Sequence, residues 1–237
     1  MAIEAVIFDK DGTLIDFDAF WLNISIEAIS DVLNCCEQPD IPLSEILEPF
    51  GVHNGVTSIE GVLCKGTYAQ MGQIVYDVLR KHGCEISLAD TVKLVTEQYV
   101  RNADAGEIHP TCPNLPEVLQ MLKDQGKKLA VVTTDNRAMT LKCLNALGVA
   151  DLFDAIYTDD GGIPTKPDPA CTEDICKRFG ISKDKVLMVG DTLTDVKFAK
   201  NAGISMIAVA KTEGNEKILL QHTDTVVSDI SYIPAMI

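Results

Sequence analysis

Two pairs of aspartates lie directly after apolar runs of the sequence. Asp9 and Asp11 follow the first such run, and Asp191 and Asp195 follow a later one. A carboxylate can attack phosphorus to form an acyl phosphate, and a neighbouring carboxyl group can protonate the leaving oxygen and later deprotonate water. Oxygen ligands from Asp9, Asp191 and a backbone carbonyl, completed by water and phosphate, suit octahedral Mg²⁺. These residue types at this spacing therefore predict metal-assisted phosphoryl transfer.

Two further segments could contact a phosphoryl group. Val131–Asn136 offers the hydroxyl of Thr133 and backbone N–H groups at the start of a predicted helix, which together favour phosphate binding. Lys166 precedes Pro167 after a glycine-rich loop and could offset the charges of the phosphate and of the aspartates. A local source of positive charge is needed, because the chain carries a net charge of −15.

Each of these segments, taken alone, has a structural alternative. The segment from Asp9 to Gly12 could be a turn that ends a strand. Thr133 and Thr192 could simply cap helices, and Lys166 could be solvated. Taken together, the alternatives require that two carboxylate pairs, a hydroxyl and a lysine meet at one sheet edge by accident. The order and positions of the four segments therefore favour one shared site.

The elements that must position these residues alternate between strands and helices. The sequence predicts strands at 5–8, 129–133, 153–158, 186–189, 205–209 and 225–227. It predicts helices at 114–125, 137–147, 169–179, 194–202 and 216–221. Such alternation indicates an α/β fold with a parallel sheet and helices on both faces, in which ligands bind at the carboxyl ends of the strands.

Residues 17–106 break this alternation, because they read almost entirely as helix. Apolar residues there keep a helical spacing, most clearly over 88–99. We therefore predict an all-helical cap domain over 17–106, inserted after the first strand, and a catalytic core formed by 1–16 and 107–237. Both linkers would return to one edge of the sheet, so that the insertion forms a mobile lid.

Composition and charge exclude several classes of partner. The chain has 237 residues, 46% of them hydrophobic, which predicts a packed globular protein. The net charge of −15 argues against nucleic-acid binding, which needs clustered Lys and Arg. No signal-peptide pattern and no run of about 18 apolar residues is present, so no membrane association is expected. The eight cysteines match no zinc or disulfide pattern, which predicts free thiols in a reducing cytoplasm.

Four segments together resemble the motifs of the haloacid dehalogenase superfamily, specifically its phosphatases with a helical cap inserted after the first motif. The matching segments are DKDGTL (9–14), VVTTDN (131–136), TKPDP (165–169) and GDTLTD (190–195). The resemblance covers nearly the whole chain. It implies a Rossmann-like parallel sheet of strand order 5-4-1-2-3, with the site between the first and fourth strands.

The same resemblance implies roles in the reaction. Asp9 would be the nucleophile, and Asp11 would be the general acid and base. Thr133 would bind the phosphoryl group, and Lys166 would orient it. Two further residues would contact the phosphate, namely Thr134 and Asn136.

The cofactor implied by the resemblance is Mg²⁺. Its ligands would be Asp9, Asp191 and the backbone carbonyl of Asp11, with Asp195 supporting the site from behind. Relatives that displace halide lack the second aspartate of the first motif, because they protonate no ester oxygen. The presence of Asp11 therefore favours phosphoryl transfer.

The layout looks most like that of phosphoglycolate phosphatases, in which the cap reads the leaving group. This implies a monomer or homodimer that hydrolyses a small phosphate ester, phosphoglycolate-like or a sugar phosphate. His53, in a predicted cap loop, is a candidate substrate contact or else a surface residue. Three alternatives stay open: a phosphomutase of the same family (β-phosphoglucomutase-like), a phospho-accepting signalling module, and an inactive binding protein on the same fold. Receiver modules are much shorter and carry no cap.

Overall fold

The computed structural model describes residues 2–237. The chain forms two compact units: one comprises the residues up to Asp16 together with Ile108–Ile237, and the other is Phe17–Glu107. The two linking segments run side by side within the first unit, where the N–H of Asp16 donates to the carbonyl of His109 at 2.9 Å. The inserted segment therefore leaves and re-enters the first unit at one place.

Strands occur in both units. The described residues contain β1 (Ala5–Phe8), β2 (Val52–His53), β3 (Val56–Thr57), β4 (Lys128–Val132), β5 (Ala155–Tyr157), β6 (Val186–Gly190), β7 (Ser205–Val209) and β8 (Val226–Val227). Six of them form a parallel sheet in the first unit, in the order β5-β4-β1-β6-β7-β8. The five-stranded order 5-4-1-2-3 is thereby confirmed, and β8 extends the sheet by one strand.

The helices alternate with these strands in the first unit and dominate the second. They are α1 (Asn23–Cys35), α2 (Ser44–Leu47), α3 (Val62–Lys65), α4 (Tyr68–Lys81), α5 (Leu88–Arg101), α6 (Leu115–Asp124), α7 (Arg137–Ala146), α8 (Ala170–Phe179), α9 (Leu193–Ala202), α10 (Glu213–Leu219) and α11 (Ile233–Met236). Short 3₁₀ helices occur at Ala150–Leu152, Lys183–Lys185 and Ile230–Tyr232. Within residues 2–237, no helix has the length and apolarity needed to cross a membrane.

The register of the sheet decides where the polar segments meet. Phe8, the last residue of β1, pairs with Val131 of β4 on one side and with Val189 of β6 on the other. The chain builds the sheet outward through β4 and β5, and then returns to the other side of β1 through β6. Asp9 therefore follows β1 at the switch point between the two halves, where open α/β sheets bind their ligands.

One hydrophobic cluster anchors this sheet edge. Ile7, Val132 and Met188 of the three central strands pack with Ile175 of α8 and Phe198 of α9, and all five side chains are fully buried. Burying side chains of this size stabilises the fold by about 1.5–3 kcal/mol each. The strand ends that carry the polar residues are thus fixed by the core beneath them.

The second unit is mainly helical. One turn of π-helix (Asp18–Leu22) leads into α1, and α5 packs against both α1 and α4. The hydroxyl of Tyr99 in α5 donates to Oγ of Ser25 in α1 at 2.8 Å, in a buried position. A capping hydrogen bond of 3.1 Å from the N–H of Asp90 to Ser87 begins α5 where the sequence predicts it.

The prediction of an all-helical insertion is wrong at one place. β2 and β3 form an antiparallel hairpin in which Val52 pairs with Thr57. Its turn residues, Asn54 and Gly55, have φ angles of 52° and 75°. Asn-Gly is favoured in two-residue hairpin turns because both positions need a positive φ. This dipeptide is the local signal that overrides the helical pattern around it.

Candidate active site

Lys166 joins two buried aspartates at the carboxyl end of β1. The N–H of Asp9, the first residue after this strand, donates to the carbonyl of Val189 at 2.9 Å. Nζ of Lys166 donates to Oδ1 of Asp9 and, at 2.6 Å, to Oδ1 of Asp195. The side chains of Asp9, Lys166 and Asp195 are only 8%, 4% and 0% exposed. Charge-assisted hydrogen bonds in a place this dry hold both carboxylates in one orientation.

Asp195 is also fixed from its other side, by the start of α9. Its Oδ2 accepts hydrogen bonds from the N–H of Thr192 at 2.9 Å and from Oγ1 of Thr192 at 2.7 Å. This is a capping box, in which side chains in the first turn satisfy donors that the helix leaves unpaired. Because both oxygens of Asp195 are engaged by the protein, the arrangement suits a supporting residue.

Asp191 follows β6 and lies against the loop that follows β1. Its Oδ1 accepts a hydrogen bond from the hydroxyl of Thr13 at 3.2 Å. Its Oδ2 faces the main chain of Gly12, where a Cβ atom would come within 2.0 Å of that oxygen. Gly12 also has a φ of 82°, and the N–H of Gly12 closes the loop by donating to the carbonyl of Ile15 at 2.7 Å. Only glycine tolerates both the backbone conformation and the close approach.

Three carboxylates therefore converge on one point. Oxygens of Asp9, Asp191 and Asp195 lie within 4.8 Å of one another. With Lys166, three carboxylates and one ammonium group leave two negative charges in excess when all are ionised. Lys166 and Thr13 engage Oδ1 of Asp9 and of Asp191 respectively, which leaves one oxygen of each for a cation. Hard oxygen donors at this spacing fit a divalent cation.

Burial and mutual repulsion raise the pKa values of the two candidate cation ligands. Burial raises the pKa of Asp9 to about 7 against the opposing charge of Lys166, and the charges of Asp195 and Asp11 add to the rise. The pKa of Asp191 lies well above its ordinary value because of burial and then the charges of Asp9 and Asp195. Burial alone would lower the pKa of Lys166, but Asp195 and Asp9 outweigh it and hold that pKa above its ordinary value. A bound cation would relieve this excess of negative charge.

A second buried lysine, not assigned from the sequence, lies inside the first motif. Lys10 is fully buried, and its Nζ lies 2.6 Å from Oδ1 of Asp11 and 3.1 Å from Oδ2 of Asp135. Burial alone would lower the pKa of Lys10, but Asp11 and Asp135 outweigh it and hold that pKa above its ordinary value. The signal in the sequence was a lysine between two aspartates, directly after a buried strand.

The segment between β4 and α7 carries the predicted phosphate contacts. Thr133 is buried, and its Oγ1 accepts a hydrogen bond from the N–H of Asp135 at 3.2 Å. Thr134 is exposed. The side chain of Asn136 caps α7 by accepting from the N–H of Met139 at 2.9 Å, which is the alternative that the sequence left open for this segment. Phosphate binding by Thr133, Thr134 and Asn136 stays a prediction.

The remaining candidate, His53, lies in β2 of the second unit. Its side chain is exposed, next to the turn of the hairpin, so it is accessible to a ligand. Its role as a substrate contact stays a prediction.

Two residues inside the quoted motifs were also missed: Thr13, which holds Asp191, and Asp135, which pairs with Lys10. Both support charged groups through one contact, which spacing alone does not reveal.

The fold is a parallel α/β sheet with a second unit inserted between β1 and β4. A buried cluster of carboxylates and a lysine lies at its switch point. These features define the class of α/β enzymes whose active site is built from carboxylates. The chain belongs to the haloacid dehalogenase-like hydrolase family, whose model matches residues 3–203. The family predicted from the four motifs is thereby confirmed.

Named relatives cover most of the chain. A phosphoglycolate phosphatase from Nitrosococcus oceani is 34% identical over 213 residues, which cover 87% of this chain and 84% of that protein. Pyrophosphatase PpaX from Halalkalibacterium halodurans is 37% identical over 219 residues, 88% of this chain and 84% of that protein. Among solved structures, a predicted phosphoglycolate phosphatase from Haemophilus somnus 129PT superimposes with a TM-score of 0.72 and 22% sequence identity. The match covers 99% of this chain and 97% of that chain, so the two proteins share the fold. The prediction of a phosphatase is confirmed by the relatives in sequence.

Proposed function

We propose that this phosphatase hydrolyses small phosphate monoesters with Mg²⁺, through an aspartyl-phosphate formed on Asp9. The observation that carries the proposal is the position of Lys166, which holds Asp9 beside Asp191 and Asp195 at the carboxyl end of β1. A cluster of buried charges contributes little to stability, since the loss of hydration offsets the attraction between the charges. Its arrangement is better explained by an attack on phosphorus.

In the first step, a carboxylate oxygen of Asp9 attacks phosphorus in line with the ester oxygen. A bond from Asp9 to phosphorus forms while the bond to the leaving group breaks, and Asp11 gives its proton to the departing alkoxide. Lys166, the hydroxyl of Thr133 and the N–H of Thr134 offset the charge on the phosphoryl oxygens. The side chain of Asp11 is 17% exposed, against 8% for Asp9, which suits a group that exchanges protons with substrate and water.

In the second step, Asp11 is ionised and takes a proton from a water molecule. The oxygen of this water attacks the phosphorus of the acyl phosphate, and the bond from phosphorus to Asp9 breaks. Inorganic phosphate leaves, Asp9 is again a carboxylate, and Asp11 is again an acid. One water molecule is consumed for each ester cleaved.

Asp9, Asp191 and the backbone carbonyl of Asp11 would hold Mg²⁺, which offsets the charge of the phosphoryl oxygens when it is bound. The donor set supports this choice, because all three donors are oxygens and two are carboxylates with raised pKa values. Asp195 would keep Lys166 in place, since its oxygens are engaged by Lys166 and Thr192.

We assign substrate selection to the inserted unit, Phe17–Glu107, acting as a cap, with His53 as a candidate contact. The names of the relatives support a small phosphorylated metabolite, either phosphoglycolate-like or a sugar phosphate. Inorganic pyrophosphate is the second candidate, because a pyrophosphatase is among the relatives at 37% identity.

The test is phosphate release with and without Mg²⁺ from a panel of phosphoglycolate, sugar phosphates, nucleotides, pyrophosphate and an aryl phosphate. We expect metal-dependent release that peaks on one small compound. The variant Asp9→Asn should retain only a trace of activity, whereas the matched change of an exposed aspartate, Asp184→Asn, should retain all of it. Full activity of Asp9→Asn would refute the aspartyl-phosphate. Turnover only with a bisphosphate activator would instead establish the mutase.

A further inference from the structure

Lys10 is the charged residue of the first motif that the mechanism above does not use. Its side chain is fully buried, and its ammonium group lies between the carboxylates of Asp11 and Asp135 at 2.6 and 3.1 Å. A buried ammonium group is costly unless it is paired and hydrogen-bonded. The protein therefore carries two buried lysines at the end of β1, and each bridges two aspartates.

The two bridges serve different aspartates of the motif. Lys166 ties Asp9 to α9 on one side of β1, through Asp195. Lys10 ties Asp11 to the segment after β4, through Asp135. The nucleophile and the acid of the proposed reaction are thus each held by a lysine of their own.

We propose that Lys10 is a positioning residue for Asp11, an inference that rests on the proposed function. Its ammonium group engages Oδ1 of Asp11 at 2.6 Å. This bond fixes the carboxyl group and leaves Oδ2 for proton exchange with the ester oxygen and with water. Asp135 anchors Lys10 from behind, and Asp135 is itself held by its N–H donating to Thr133 and by its carboxylate accepting from the N–H of Asn136 at 2.7 Å. The orientation of Asp11 is therefore coupled to the segment that carries Thr133.

This role makes a prediction that differs from that of a simple structural ion pair. If Lys10 acts through Asp11, its loss matters where proton donation to the leaving group matters. Alkyl phosphates need that proton because an alkoxide is a poor leaving group, whereas 4-nitrophenyl phosphate needs it much less. A general structural weakening would slow both substrates alike.

The experiment compares Lys10→Met, Asp11→Asn and the double variant on an alkyl phosphate and on 4-nitrophenyl phosphate. General acid catalysis contributes about 10²–10⁴-fold, so we expect Lys10→Met to lower kcat on the alkyl ester by roughly tenfold or more, with KM little changed. The loss on the aryl ester should be several times smaller. In the Asp11→Asn background, Lys10→Met should cost less than about twofold more, because the two residues act as a unit. Equal losses on both esters, or fully additive losses, would overturn the proposal.

Two controls keep the outcome readable. Lys128→Met, at an exposed lysine of β4 that pairs with Asp154, should leave both rates unchanged. Asp135→Asn retains Lys10 but weakens its anchor, and it should show the same split between esters with a smaller loss. If circular dichroism shows that Lys10→Met does not fold, Asp135→Asn is used to test the proposal instead. Unfolding of both variants would assign Lys10 to the fold and overturn the proposal.

The failure of this inference is separable from the failure of the proposed function. An active Asp9→Asn enzyme would refute the aspartyl-phosphate mechanism itself. An inactive Asp9→Asn enzyme, with a split between esters in Asp11→Asn but none in Lys10→Met, would refute only the role of Lys10.

Discussion

The main chain of Gly12 lies against the carboxylate of Asp191, so closely that a Cβ atom on Gly12 would come within 2.0 Å of Oδ2. The next residue, Thr13, donates its hydroxyl to Oδ1 of the same carboxylate at 3.2 Å. Two consecutive residues after β1 therefore hold an aspartate that is distant in the sequence, since Thr13 and Asp191 are 178 positions apart. Asp191 is placed beside Asp9 by this contact.

Replacing Gly12 by alanine should displace Asp191 and remove the proposed cation site. We expect Gly12→Ala to lose at least about 100-fold in Mg²⁺-dependent activity, the scale on which a misplaced catalytic group acts. The matched control is Gly148→Ala, which has a φ of 69° but nothing within 4 Å of the added Cβ atom. It should lose about 1 kcal/mol of stability from the positive φ and no activity. Steady-state rates and thermal unfolding of both variants check this, and equal activities would contradict the steric argument.

Removing Lys166 should destabilise the protein as well as inactivate it. Lys166→Met leaves Asp9 and Asp195 buried without their partner, and breaking a buried pair in this way costs about 3–5 kcal/mol. The comparison is Lys183→Met, whose ion pair with Glu173 at 3.4 Å is largely exposed and contributes about 1 kcal/mol or less. Urea unfolding near pH 8 measures both losses. The deficit of Lys166→Met should shrink near pH 5, where Asp9 with its raised pKa carries a proton, and an unchanged deficit would count against this origin.

Cation binding should depend on pH through Asp9. Its pKa is about 7 in the folded protein without a cation and 3.8 as an ordinary aspartate. The folded state therefore binds more protons than the unfolded state between these values, so the stability of the cation-free protein falls as the pH rises from about 4 to about 7 and levels off above it.

The same proton must leave before Mg²⁺ can bind. Below pH 7, the Kd for Mg²⁺ should rise as the pH falls, by about tenfold for each pH unit through Asp9 and by more while Asp191 also carries a proton. Calorimetric titration between pH 5.5 and 8.5 measures this, together with the rise in Tm that Mg²⁺ produces at each pH. A Kd that is equal at both ends of the range would exclude Asp9 as a ligand with this pKa.

His53 should affect the choice of substrate and not the chemistry. It is exposed on the hairpin of the inserted unit, so His53→Ala should leave the fold intact. For the best small ester of the panel, we expect a higher KM and a kcat within about threefold of the unchanged enzyme. This pattern means that the variant loses binding energy that ground state and transition state share. We expect no effect on the aryl phosphate. His82→Ala is the control in the same unit, because His82 contacts Glu45 at the surface. Equal KM values for both variants would remove His53 from the substrate site.

The sequence by itself predicted the parallel sheet and the chemical character of the site, and the resemblance of its motifs to the family implied the strand order. Each motif follows an apolar strand, and parallel strands bring their carboxyl ends to one edge, so the positions of Asp9, Thr133, Lys166 and Asp191 along the chain implied that they meet. Helix caps such as Ser87, which begins α5, were also readable, because capping depends on residues within one turn. The hairpin could also have been predicted from the local Asn54-Gly55 signal, but the helical pattern of the rest of the insertion led to a prediction of helices alone.

Only the tertiary structure decided which partner each charged group has. Lys166 bonds to both Asp9 and Asp195, whereas Lys10, which the sequence left unassigned, is fully buried between Asp11 and Asp135. Spacing along the chain does not reveal the pairing of Lys10 with Asp135 or those of Lys166, because these pairs join different strand ends across the sheet. Burial and the distances between charges set the pKa of Asp9 and the excess of negative charge beside it, and both arise only when the strands are assembled.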